Sequence, residues 1–238
     1  MLIFLDLQTT GNEGEEKLCS VACIVFEKGK FIRTFHELFN EGKKISAQAS
    51  ARHNITNEMI AKKSSFSQSK LYRFLQQQSK REVTLVVHNM AFVLDKLALS
   101  GCKWQQKVID TQRVVKHRIL ECELFTLEFL RYELKLYRKE NRLKSVCGIK
   151  DALIAHHALS NAVVIKLLFE YLKVETSIEA MYDLTFSSVL LEKFPFGKYA
   201  GRYIEDIVMN ERSYILWMLS LEELDADLRY SIEYYFKG

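Results

Sequence analysis

Four large apolar residues in succession, Leu2-Ile3-Phe4-Leu5, run into Asp6-Leu7-Gln8-Thr9-Thr10 and break at Gly11. This reads as a buried strand whose C-terminal end emits polar side chains, a natural place for a ligand site. Two further apolar, β-branched runs, Ser20 to Phe26 and Phe31 to Leu38, flank Glu27-Lys28-Gly29-Lys30 and give a hairpin with glycine in its turn. Helical spacing follows over Thr56 to Lys63 and Gln68 to Gln78. A short continuous strand, Val83 to Val87, then ends at His88-Asn89. Ala91 to Leu99, Thr111 to Leu120, Leu124 to Leu136 and Asp151 to Leu172 return to spacings of three and four, which predicts helices. Strands first, then strand and helix alternating, specify a mixed sheet covered by helices, an α/β domain over residues 1–175. The single proline, Pro195, opens Phe194-Pro195-Phe196-Gly197-Lys198-Tyr199-Ala200-Gly201-Arg202-Tyr203. A small second module over 188–238 is expected there, with helices at Tyr214 to Leu219 and Leu224 to Phe236.

Composition narrows the class. With 48% apolar residues among 238, the chain can bury a substantial core, which excludes a disordered chain or a disulfide-stapled mini-protein. Five cysteines, with no pair at zinc or dithiol spacing, fit a reduced compartment. No apolar run reaches the roughly 20 residues of a membrane span, and Asp6 and Gln8 interrupt the early apolar stretch, against a signal peptide. A cytoplasmic protein without membrane contact is expected. The net charge of +4 is unevenly spread: residues 103–150 carry net +6 and residues 175–238 net −6. A polyanion would meet the basic body, although a solvated helical face accounts for Arg113, Arg131, Arg138 and their neighbours nearly as well.

Four segments, in order and at matching spacing, resemble the motifs of the DEDDh (DnaQ-like) 3′-5′ exonucleases. They are Phe4 to Gly11, His53-Asn54-Ile55-Thr56, Val87 to Phe92 and His156 to Ala162. The string Phe194 to Tyr203 with Tyr214 to Trp217 resembles the C-terminal module of the exodeoxyribonuclease X branch of that superfamily. The resemblance implies a ribonuclease-H-like sheet on which four carboxylates hold two magnesium or manganese ions, with a histidine as general base. Two cations stabilise the entering and leaving oxygens of phosphodiester hydrolysis, and hard cations need anionic oxygen ligands.

Here the carboxylate pattern departs from the family. Asp6 stands at the first position and His156 at the general-base position, but Gln8, Val93 and Asn161 occupy the other three carboxylate positions. Asp95, two residues beyond Val93, lies about 200° around a helix and is expected to point away. Metal should therefore be absent or weakly held at Asp6. The resemblance also places Thr9, Thr10, Gly11, His88 and Asn89 along the nucleic-acid site, and Lys198, Tyr199 and Arg202 against a backbone or base. Taken singly, Asp6 also reads as a cap on strand-end amides, and His156 as a hydrogen-bonded surface histidine. The reading reached is a catalytically impaired exonuclease-family protein that binds a DNA 3′ end or single strand. Two rivals stand beside it: an active metal-dependent 3′-5′ exodeoxyribonuclease, and a protein-interaction module, with the acidic C-terminal part as the docking piece.

Overall fold

A five-stranded sheet is built from β1 (Leu2–Thr9), β2 (Leu18–Glu27), β3 (Lys30–Leu38), β4 (Thr84–Val87) and β5 (Val108–Asp110) in the order β3-β2-β1-β4-β5. This computed structural model describes residues 1–11, 14–119, 122 and 124–237. β1 pairs antiparallel with β2 and parallel with β4, so the sheet is mixed, as the order of elements predicts. Lys28 and Gly29 both take positive φ, 48° and 79°, which closes the β2–β3 hairpin with the twist that two-residue turns favour.

Helices α1 (Ala47–His53), α2 (Asn57–Ile60), α3 (Lys70–Gln78), α4 (Met90–Leu99), α5 (Thr111–Arg118), α6 (Leu127–Glu133), α7 (Tyr137–Val146), α8 (Ala158–Leu172) and α9 (Ile178–Phe186) accompany the sheet. The alternation of β1 decides what each face meets. Ile3, Leu5 and Leu7 join an apolar cluster with Leu71 and Leu75 of α3 and Val93 and Leu97 of α4. Phe4, on the opposite face, meets Phe169 of α8 edge to face at 5.3 Å. Both rings are fully buried, and truncating either would cost about 3 to 5 kcal/mol.

Three sequence expectations shift. The helix predicted over Leu124 to Leu136 ends early because Lys135 takes a left-handed φ of 53°; α7 then follows, where charged residues hide the apolar period. The helix expected from Asp151 begins only at Ala158, after His156 at φ 59°. β5, only three residues long, α1, short and polar, and α9 are present beyond the elements predicted.

The chain divides into two compact units, Met1–Val115 with Glu121–Thr185, and Lys116–Leu120 with Phe186–Gly238. The second is built on α10 (Ile204–Asn210), α11 (Arg212–Ser220) and α12 (Ala226–Lys237) around Phe194, Ile204, Ile215, Leu228 and Ile232. It thus holds one helix more than the aromatic spacing predicts. Cys19, Cys23, Cys102 and Cys147 are buried free thiols. Among the described residues no helix is long and apolar enough to cross a membrane.

Candidate functional site

The period of β1 places Asp6 and Gln8 on the same side as Phe4, toward α8, and the first turn of α8 carries Asn161. The three side chains meet. Oδ2 of Asp6 accepts from Nε2 of Gln8 at 2.8 Å and from Nδ2 of Asn161 at 3.1 Å. Asp6 is 9% exposed, and burial pushes its carboxyl up to about 7, with the negative charge of Glu128 adding to the rise. The two amide bonds work against that rise by favouring the ionised form.

This donor set does not fit two divalent ions. The amide N–H groups face the carboxylate where the family has further carboxylates, so the amides act as donors toward it. Val93 is 2% exposed inside the apolar cluster and offers no oxygen. Asp95 lies on the exposed side of α4, where its carboxylate is 3.2 Å from Nζ of Lys96, as the helical rotation predicts. Among the described residues no three His, Cys, Asp or Glu side chains are placed to hold a metal.

His156 reaches the same region from the turn before α8. Its Nδ1 lies 2.9 Å from Oε1 of Glu128, on the first turn of α6, which Thr126 caps. Glu128 is the residue that sequence reasoning missed. Its only local signal is an acid just after a Thr cap, which marks a helix start and says nothing of what the side chain faces. Asp6, Gln8, Arg52, His88, Glu128 and Asn161 are among the residues around a cleft of about 220 Å³.

The remaining family-implied residues are tied into the protein itself. Oγ1 of Thr9 donates to the Gly11 carbonyl at 2.6 Å, while the Thr10 hydroxyl donates to Glu16 and accepts from the Lys17 amide at 3.1 Å. A Cβ on Gly11 would lie 2.8 Å from Cδ of Glu16 and would push that side chain aside. Nε2 of His88 donates to the Phe125 carbonyl at 2.8 Å, and its Nδ1 shares a hydrogen bond with the Thr111 hydroxyl at 2.9 Å. Asn89, at φ 71°, caps α4 through the Phe92 amide, and buried Asp110 accepts from the Asn89 and Met90 amides at 3.0 and 2.8 Å. Nε2 of His53 donates to the Thr9 carbonyl at 3.2 Å while its Nδ1 accepts from the Ile55 amide at 3.1 Å, so the ring is neutral. Burial holds its pKa below the ordinary value.

Lys198, Tyr199 and Arg202 belong to the second compact unit. The Tyr199 ring is only 8% exposed and packs edge-on against Tyr214 at 4.8 Å, so stacking on a base is not open to it; Tyr203, 51% exposed, presents its ring outward. Lys198 lies over the Tyr199 ring at 4.7 Å. In the basic stretch, Arg131 is engaged by buried Glu140 through paired bonds of 2.5 and 2.7 Å.

A family model described as exonuclease matches residues 3–169. Over 241 aligned residues the chain is 23% identical to exodeoxyribonuclease 10 of Escherichia coli strain K12, spanning all of both chains. Among solved structures it is similar to exonuclease X in complex with 5′ overhanging duplex DNA, with TM-score 0.58, 22% identity, and 78% and 99% of the two chains covered. It is similar also to the nuclease domain of 3′hExo, a DEDDh family member bound to rAMP, with TM-score 0.53, 14% identity, and 73% and 92% covered.

Proposed function

The chain belongs to the exonuclease family, and from that premise we propose that it holds a DNA 3′ end or single strand without hydrolysing it. The observation that carries the reading is the Asp6 carboxylate held by the Gln8 and Asn161 amides. In the family pattern four carboxylates need two dications before a phosphate can approach. Two unit charges about 4 Å apart interact by about 4 kcal/mol at an effective dielectric near 20, so losing three carboxylates removes the attraction that would fill a two-metal site. The same loss lessens the repulsion a bare phosphodiester would meet, with Asp6 and Glu128 the carboxylates that remain and Arg52 a cation on the wall of the cleft.

No hydrolytic step follows from these residues. His156 engages Glu128 through its Nδ1 and is read as a hydrogen-bonded histidine rather than a general base. Support for a 3′-end ligand comes from the similar exonuclease X structure, whose 5′ overhanging duplex leaves its 3′ end recessed. The second unit, which lies mostly in the stretch 175–238 that carries net −6, is proposed as the docking piece for a protein partner.

The test is fluorescence anisotropy with a 3′-recessed duplex and a single strand, in EDTA and in magnesium or manganese, with product length read from the same tubes. Binding that survives EDTA, with no shortening in either metal, is the expected result. Shortening that co-elutes with the protein and disappears in Asp6→Asn would establish a working exonuclease instead. Absence of binding at low salt, together with a nuclease-resistant pull-down of a protein, would establish the interaction module.

A further inference from the structure

A second concavity of the first unit lies away from the cleft. At the N-terminal ends of β1 and β4, opposite the Asp6 end, a cavity of about 830 Å³ opens beside Leu2, Thr84 and the β2–β3 turn. That volume lies within the range of roughly 300 to 1,000 Å³ that small-molecule sites occupy. Four lysines from separate stretches reach it: Lys28 in the hairpin turn, Lys107 ahead of β5, Lys166 within α8 and Lys173 just past its end.

Two carboxylates line it as well, Glu82 and Glu170, and Glu170 is already committed to Lys166 at 2.5 Å. Lys166 is 8% exposed, and its ammonium sits 4.7 Å from the Phe26 ring and 5.3 Å from Phe4, so it is a fixed positive charge over an aromatic floor. Lys28, Lys107 and Lys173 are exposed and make no ion pair among the described residues. Lys107 lies 5.5 Å from the Tyr182 ring. The remaining walls are apolar at Leu2, Val83 and Ile178. Nε2 of Gln106 donates to the Ser79 carbonyl at 3.0 Å, which leaves its carbonyl oxygen as an acceptor.

A ligand matching these walls has a flat, largely apolar body with a few hydrogen-bonding edges, and a compact multivalent anion. Three separate ammonium groups suit the three terminal oxygens of a phosphate better than the planar pair of a carboxylate. We propose that this cavity binds a nucleoside monophosphate, its phosphate among Lys28, Lys107 and Lys173 and its base against the apolar Leu2, Val83 and Ile178 walls. The site is independent of the Asp6 cleft and does not rest on the function proposed for that cleft.

Isothermal titration of the full chain with AMP, dAMP, inorganic phosphate and adenosine in separate runs tests it. One equivalent of a nucleotide is expected, with phosphate alone and adenosine alone each weaker by about tenfold or more. Exchanging Lys28, Lys107 and Lys173 together for Gln should weaken nucleotide binding by about tenfold or more. All three lysines are exposed, so the far-ultraviolet circular dichroism should match that of the parent chain. No saturable uptake up to about 5 mM, or equal binding by the triple variant, would overturn the assignment. Adenosine or phosphate alone binding as tightly as the nucleotide would overturn it too.

Discussion

Replacing Asp6 by Asn isolates the one titrating group of the cleft whose proton affinity burial has changed most. The substitution keeps the shape, and Oδ1 of the new amide can still accept from Gln8 and Asn161; only the charge is lost. The Asp6 carboxyl stands at about 7 in the folded chain against 3.8 when unburied. Folding therefore favours its protonated form. The stability contributed by that preference is complete below pH 3.8 and is lost as pH rises through about 7. At about 1.4 kcal/mol for each tenfold change in proton affinity, the gap sets a ceiling of about 4 kcal/mol. Relaxation and water entry bring the expected value to about 2 to 3 kcal/mol. Asp6→Asn should thus match the parent near pH 4 and exceed it by that amount at pH 8.5, a rise in melting temperature of about 4 to 12 °C for a chain of this size. Thermal unfolding by circular dichroism at half-unit pH steps reads the difference, and subtracting the two curves cancels every group they share. A difference that stays flat from pH 5 to 9 would show that burial does not hold the Asp6 carboxyl above its ordinary value, and would refute the reasoning. A parent curve at pH 8.5 lifted above the variant by millimolar magnesium would mean that the charge is held for a cation.

The core and the surrounding ties give further tests. Val93→Asp should cost about 3 kcal/mol or more in urea unfolding, because it puts a charge into the cluster around Leu7 and Leu97; a small cost would mean that the position opens to the cleft. The double change Gln8→Glu with Asn161→Asp, which leaves Val93 in place, should create a melting temperature that climbs with magnesium where the parent's stays fixed, and fails its purpose if both respond alike. His53→Gln can keep a donor and an acceptor while removing a proton site held below its ordinary 6.5. The parent should lose stability relative to it as pH falls below 6.5, since the folded chain favours the neutral ring. Arg131→Ala leaves Glu140, 6% exposed, without its paired bonds, and should lower stability by about 2 kcal/mol by denaturant titration.

Much of the frame is written locally. The apolar run before Asp6 and the hairpin at Lys28-Gly29 are readable because a strand's burial and a turn's φ depend on residues next to one another in the chain. That Gln8, Val93 and Asn161 carry no carboxylate is readable too, since an amide or a valine is none in any fold. Burial and packing decided the rest. The Gln8 and Asn161 amides became donors to Asp6 because β1 alternates toward the first turn of α8, 155 residues away along the chain. Glu128 faces His156 because of where α6 is placed; no spacing rule joins an acid after a Thr cap to a histidine before a distant helix. Tyr199, whose motif suggests stacking on a base, is spent on the core of its own unit, and Asp110 spends its carboxylate on the turn that starts α4. In each case composition fixes what a side chain is able to do, while the partner that engages it is set by strand register and helix placement, which sum over the whole chain.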